Sequence, residues 1–161
     1  MSTSIDFNQF PSLQTYLETG SKKVIALYFA ASWCPDCTPI TARLKSFYDD
    51  EHRKKYIDII YISSDSTATQ MNQTLSEEHG AWKAIPFANV DERNALKRYF
   101  KAFAGKEAHV LGMSLQGRHP IPCLILVDCK SKKVLTYNGV NDIVSIDDLE
   151  AVCQKWLSFG T

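Results

Sequence analysis

The sequence predicts an α/β fold, a central β-sheet covered by helices on both faces. Three observations carry this. Residues 24–31 are apolar without interruption, and residues 124–127 repeat the pattern before Asp128, as strands buried on both faces do. Ile40, Leu44, Phe47 and Tyr48 fall at i, i+4, i+7 and i+8, the stripe of an amphipathic helix. Strand-like and helix-like segments then alternate along the chain, which is how sheets flanked by helices are built. At 161 residues, with 45% apolar and 22% charged residues, the chain is read as one domain spanning 1–161, able to bury a core without disulfide staples.

Residues 1–20 are expected to be an N-terminal helical extension: Phe10, Leu13, Tyr16 and Leu17 keep helical spacing, and Gly20 is a stop signal. A strand at 24–30 leads to a helix at 35–52. The mixed charges of 49–55 read as a solvated helix end and loop. Residues 56–62 are rich in β-branched and aromatic side chains and predict a second buried strand, parallel to the first after a right-handed crossover. Residues 63–66 supply a turn and N-cap for a helix at 67–79 that turns Met71 and Leu75 inward. Residues 79–82 break that helix, and 85–87 are extended. Asp91 then caps a helix at 92–103 whose buried face is Leu96, Tyr99, Phe100 and Phe103. Residues 104–119 hold three glycines and no clean period, and predict a loop insertion landing near the active site. Pro122 opens the strand 124–128, a place where proline is tolerated. After a turn at 129–132, residues 134–137 alternate like an outer strand, and Asn138-Gly139 reads as a turn. Ser145 or Asp147 opens a last helix with Ile146, Leu149, Val152, Cys153, Trp156 and Leu157 on its apolar stripe.

The chemistry is concentrated in Trp33-Cys34-Pro35-Asp36-Cys37, between the first strand and its helix. Pro35 suits a first helical turn. A thiolate at a helix N-terminus meets unpaired N–H groups and the positive end of the dipole, so Cys34 is expected to ionise below the ~8.5 of a free thiol. Cys34 would attack a partner disulfide, and Cys37, one turn on, would resolve the mixed disulfide. A bare CxxC also fits half of a zinc site or an inert packed pair. No second CxxC exists, and Cys123, Cys129 and Cys153 are scattered. The strand before, the Trp, the Pro and the helix after favour the redox reading.

Residues 29–37, Phe-Ala-Ala-Ser-Trp-Cys-Pro-Asp-Cys, resemble the active-site segment of thioredoxin-fold oxidoreductases, most closely the nucleoredoxin and tryparedoxin branch. Residues 60–65 resemble that branch's strand end, and residues 80–87 its segment ending in Pro-Phe. With Pro122 as a fourth landmark, the likeness covers about 21–137. It implies a thioredoxin fold with a mixed sheet. It also implies that Pro122 is the cis-proline facing the Cys pair, with Ile121 offering backbone groups to an extended substrate, and that Trp33, Pro35 and Trp82 line the substrate surface. Pro120 competes with Pro122 but follows His119 and does not abut the strand. For Trp82, simple packing is the equal alternative.

Four departures stand out. Asp36 occupies a position that is Pro or Gly in relatives, and its charge opposes a neighbouring thiolate, making the pair more reducing. Tyr28 replaces the buried Asp of thioredoxins, so protons must reach Cys37 by another group or water. Ser64, Ser66 and residues 138–141 replace the Trp, Glu and Arg of tryparedoxins, so those polyamine-thiol contacts do not carry over. Cys123 replaces a Thr and offers an auxiliary thiol, or simply a small buried residue.

Eighteen basic and eighteen acidic residues cancel, leaving no electrostatic case for nucleic acid or anionic membrane. The start of the chain lacks a signal-peptide pattern, and no apolar run approaches the ~20 residues of a span. An odd cysteine count does not suggest a secreted disulfide framework, so cytosol or nucleus is expected. The function expected is reduction of protein disulfides by a Cys34/Cys37 dithiol, with no metal and no cofactor beyond that redox-active disulfide. The chain would act as a monomer, served by a thiol or flavoenzyme reductant. The alternatives are a non-catalytic or redox-regulated interaction module, and a metal or iron–sulfur site using Cys34, Cys37 and Cys123.

Overall fold

The computed structural model describes residues 3–159. Five strands form one mixed sheet: β1 (Val24–Ala30), β2 (Ile57–Ser63), β3 (Lys83–Ala84), β4 (Cys123–Asp128) and β5 (Val134–Thr136), in the order β3-β2-β1-β4-β5. β1 pairs parallel with β2, and β2 with β3; β4 runs antiparallel to both β1 and β5. All seven residues of β1 and of β2 are buried, as their apolar runs require once both faces are covered.

Alternation along the strands divides the interior into two cores. Val24, Ala26 and Tyr28, with Ile57, Ile59, Tyr61, Leu124 and Leu126, face one side. There they meet α2 (Cys37–Tyr48) through Ile40, Leu44 and Phe47, α4 (Ala68–Glu77) through Met71, α7 (Gly139–Ser145) through Ile143, and α8 (Leu149–Ser158) through Val152 and Trp156. Ile25, Leu27 and Phe29, with Ile60, Ile62, Cys123, Ile125 and Val127, face the other side. That side is closed by Ile5 and Phe7, by α1 (Pro11–Gly20) through Leu13, and by α5 (Val90–Phe100) through Leu96 and Phe100.

Several boundaries differ from those expected. The first helix after β1 spans 37–48 rather than 35–52, and the charged run beyond it is not a loop. It folds as α3 (Glu51–Tyr56), because the Asp50 carboxylate accepts the Arg53 amide at 3.0 Å and three cations sit in its last turn. The N-cap of α4 is Thr67, whose hydroxyl accepts the Gln70 amide. α5 ends at Phe100, closed by Lys101 in the left-handed region, so Tyr99 is exposed and Phe103 is buried from beyond the helix. Gly139 opens a helix instead of a turn. An added Cβ there would lie 2.6 Å from the Leu124 carbonyl oxygen, so only a glycine lets α7 press onto β4. The last helix begins at Leu149, N-capped by Asp148 rather than by Ser145 or Asp147.

Residues 104–119 carry short helical turns rather than an unbroken loop. A 3-10 turn at 105–107 leads into a single helical turn, α6 (Ala108–Leu111). The chain returns so that His119 hydrogen-bonds Lys101 and Phe103 through its backbone.

Candidate active site

The site sits where β1 leaves the sheet. Two successive backbone bonds, Cys34 N to Ala31 O and Cys37 N to Cys34 O, wind the chain into α2. Cys34 and Cys37 are joined as a disulfide, with Cα atoms 5.3 Å apart. Cys37 is the first residue of α2, while Pro35 and Asp36 are exposed ahead of it. Cys34 is 6% exposed and Cys37 2%, so the first sulfur is the one a partner reaches more readily.

The turn is fastened from beneath. Ser32 donates from both its amide and its hydroxyl to the Asp65 carboxylate, which also accepts the Ser63 hydroxyl at 2.8 Å and the Tyr61 hydroxyl. Trp33 is 40% exposed, and its indole N–H donates to the Ser64 carbonyl at 3.2 Å. Lys106, from the 105–107 turn, places its ammonium 3.8 Å from the centre of the Trp33 ring. Beyond this lie a partly buried carboxylate, Glu107, and two buried cations, Arg93 and Lys97. Glu107 receives the Lys97 ammonium, the Ser64 hydroxyl at 2.6 Å and the Ala104 amide at 2.9 Å. Arg93 donates to the carbonyls of Phe87 and Ser63. Burial pulls Lys97 below the ordinary lysine range, opposed by Glu107.

Tyr28 lies under the pair. Its hydroxyl donates to the Cys37 carbonyl at 3.2 Å and shares a 2.7 Å bond with Thr41 Oγ1, tying β1 to the first turn of α2. Desolvation raises its pKa far above the ordinary tyrosine value, so it stays protonated and takes no proton from Cys37. Trp82 is buried in the same core. Its indole N–H donates to His79 Nδ1 at 3.1 Å, and its ring meets Tyr48 edge-on. That bond and burial hold His79 neutral, with its pKa lowered by desolvation to about 4. Trp82 is 6% exposed and lies in the same core cluster as Cys34 and Cys37.

The Ile121–Pro122 peptide bond is cis. Because Phe29 faces Cys123 in the β1–β4 register, Ile121 and Pro122 run on beside Ala30 and Ala31, at the strand end from which the Cys34 turn departs. Both are half-buried. Cys123 is placed elsewhere: it packs with Phe29 and Ile125 in the core on the far side of the sheet from Cys34 and Cys37, and burial pushes its thiol up to about 12. The sheet therefore separates it from the pair, and the three thiols do not converge on one point. Among the described residues, the group whose ligand atoms do converge is Asp50, His52 and Glu150, and Arg53 ion-pairs with both of its carboxylates.

Sequence reasoning missed Asp65, Arg93, Lys97 and Glu107. One signal was present. Arg93, Leu96, Lys97 and Phe100 share i, i+3, i+4, i+7 spacing, so two cations lie on a buried stripe and require buried partners.

The thioredoxin-like family matches residues 21–134. Tryparedoxin of Trypanosoma brucei brucei is 28% identical over 113 residues, 70% of this chain and 66% of its own. Human nucleoredoxin is 28% identical over 142 residues, 88% of this chain but 28% of its own, so the chain spans less than two thirds of these relatives. Among solved structures, thioredoxin from Wuchereria bancrofti superposes with a TM-score of 0.65 at 29% identity, covering 89% of this chain and 86% of that one. Tryparedoxin I from Crithidia fasciculata superposes at 0.63 and 27%, covering 80% and 77%. With the mixed sheet and a paired Cys34 and Cys37 at the head of α2, these matches mean that the chain belongs to the thioredoxin-like family, with tryparedoxins and nucleoredoxins among the proteins it resembles.

Proposed function

We propose that this protein reduces protein disulfides by dithiol–disulfide exchange at Cys34 and Cys37. The observation that carries this is the Cys34–Cys37 disulfide itself, set at the exposed strand-to-helix turn beside the cis Ile121–Pro122 bond. In the reduced protein the Cys34 thiolate lies at the N-terminal end of a twelve-residue helix, where the dipole and free amides favour its charge. It attacks one sulfur of the substrate disulfide. The mixed disulfide forms, and the other substrate sulfur leaves as a thiolate that takes a proton from water. Cys37, deprotonated, then attacks Cys34 Sγ, releasing the second substrate thiol and leaving the Cys34–Cys37 disulfide. Two electrons pass to the substrate, and a thiol or flavoenzyme reductant returns them.

The backbone of half-buried Ile121 is the place for an extended substrate to pair, and the exposed residues Trp33 and Pro35 are its neighbours. Tyr28 donates its hydroxyl to the Cys37 carbonyl and bonds Thr41. Its role is to hold the first turn of α2. Among the described residues no helix is long and apolar enough to cross a membrane. A reducing compartment, cytosol or nucleus, suits a dithiol that must be kept reduced.

Insulin reduction with dithiothreitol tests the reading. Cys34→Ser is expected to abolish turnover, and Cys37→Ser to trap a mixed disulfide that a reductant releases. Wild-type rates from Cys34→Ser would overturn it.

A further inference from the structure

The 105–107 turn brings a free positive charge to the rim of the Cys34 site. A groove of about 420 Å3 runs beside Trp33, lined by Ser64, Ser66, Phe87, Asn94, Lys106 and Val110, with Asp65, Arg93 and Glu107 in its floor. Its buried charges are already satisfied. Asp65 is taken by the serine and tyrosine donors, Glu107 by Lys97, Ser64 and Ala104, and Arg93 by two carbonyls and the Phe87 ring 4.3 Å from its guanidinium. Two carboxylates and three cations therefore leave one surplus positive charge. That charge is Lys106, which is exposed and has no carboxylate partner among the described residues.

We infer that Lys106 is a specificity-determining residue, and that the groove beside Trp33 receives an acidic side chain of a polypeptide substrate flanking its target disulfide. Trp33 precedes the attacking cysteine directly, so a chain whose sulfur meets Cys34 passes its neighbouring residues over the Trp33 face. The ammonium stacked on that face meets those residues first. An aromatic ring and a loop wall shield it on one side, and Asn94 and Ser66 add uncharged polar groups to the same groove. A glutamate fits this charge balance; a lysine meets like charge.

The inference rests on the disulfide-exchange reading, and the two are tested separately. Three disulfide peptides that differ only in Glu, Gln or Lys beside the cysteine are compared for kcat/KM at low and high salt. In parallel, cysteine-free versions are titrated against the oxidised protein by tryptophan fluorescence. Turnover of the Gln peptide tests the exchange reading alone. The Glu peptide is expected to exceed the Lys peptide by about fivefold in both rate and binding at low salt, the scale of a single exposed ion pair, with the difference shrinking at high salt. Lys106→Gln brings the ratio to one, Lys106→Glu inverts it, and Lys106→Arg keeps it. If the Gln peptide is not turned over but binding still discriminates, exchange and the substrate role of Lys106 are overturned together, while Lys106 as the contact for an acidic side chain stands. Equal binding of the three peptides, or a ratio unchanged in Lys106→Gln, overturns the assignment.

Discussion

Glu107→Gln breaks the anchoring of the 105–111 segment with the least change of shape. The amide keeps an acceptor for Ser64 and Ala104 but removes the charge that faces Lys97. Lys97 is 1% exposed, and deleting one partner of a buried pair costs about 3–5 kcal/mol because the other charge is left uncompensated. Two features lower that figure here. The Glu107 side chain is 18% exposed, and Asp65 still attracts Lys97. A loss of about 2–3 kcal/mol is therefore expected. The pH dependence has a definite sign. Lys97 already has a folded pKa below its unfolded value, and the variant lowers it further, so unfolding takes up a proton. The deficit is full below the folded pKa of Lys97 and shrinks as pH rises through it towards the unfolded lysine value of ~10.4. Urea unfolding followed by circular dichroism reads it, with an unchanged m-value. The double variant Lys97→Met with Glu107→Gln removes the orphan charge and should return to within about 1 kcal/mol of wild type. A single variant within ~0.5 kcal/mol of wild type, or a double variant no better than the single, would refute the reasoning.

Gly139→Ala tests the seating of α7. Helix propensity alone favours alanine by roughly 0.5–1 kcal/mol, but the 2.6 Å approach to the Leu124 carbonyl predicts a net loss of about 1–3 kcal/mol, and a stabilised variant would show that the close contact does not exist. His79 predicts an acid-sensitive core. Its folded pKa of about 4 lies below the unfolded 6.5, so its stability contribution is present above 6.5 and lost as pH falls to 4, worth about 3 kcal/mol. His79→Gln should flatten the stability curve across that window relative to wild type, and parallel curves would sink the assignment.

The central frame was legible because burial on both faces writes itself into composition. Residues 24–30 and 57–63 contain little that could face water. The cysteine pair was legible because spacing and neighbours together place it on a turn. Three things were not readable. α3 looks like a loop because its charges serve one capping bond and a dipole instead of an apolar stripe. α7 hides behind Asn138-Gly139, whose turn signal is strong, while the reason for the glycine lies on a strand fifteen residues earlier. The Asp65, Arg93, Lys97 and Glu107 network draws on three separate segments, and even the Lys97–Glu107 pair joins residues ten apart in different elements, beyond any local pattern. Cys123 illustrates the converse. Its adjacency to Pro122 suggests nearness to the pair, but one step along a strand reverses the face.

That reversal has a practical reading. The sheet acts as a bulkhead between two thiol populations. Cys123 meets Cys34 or Cys37 only if the strands part, so scrambling among these cysteines reports global opening of the molecule. Alkylation mapped residue by residue would thus serve as a clock for its unfolding, with the more exposed Cys34 of the reduced pair marked first and Cys123 only when the whole partition fails.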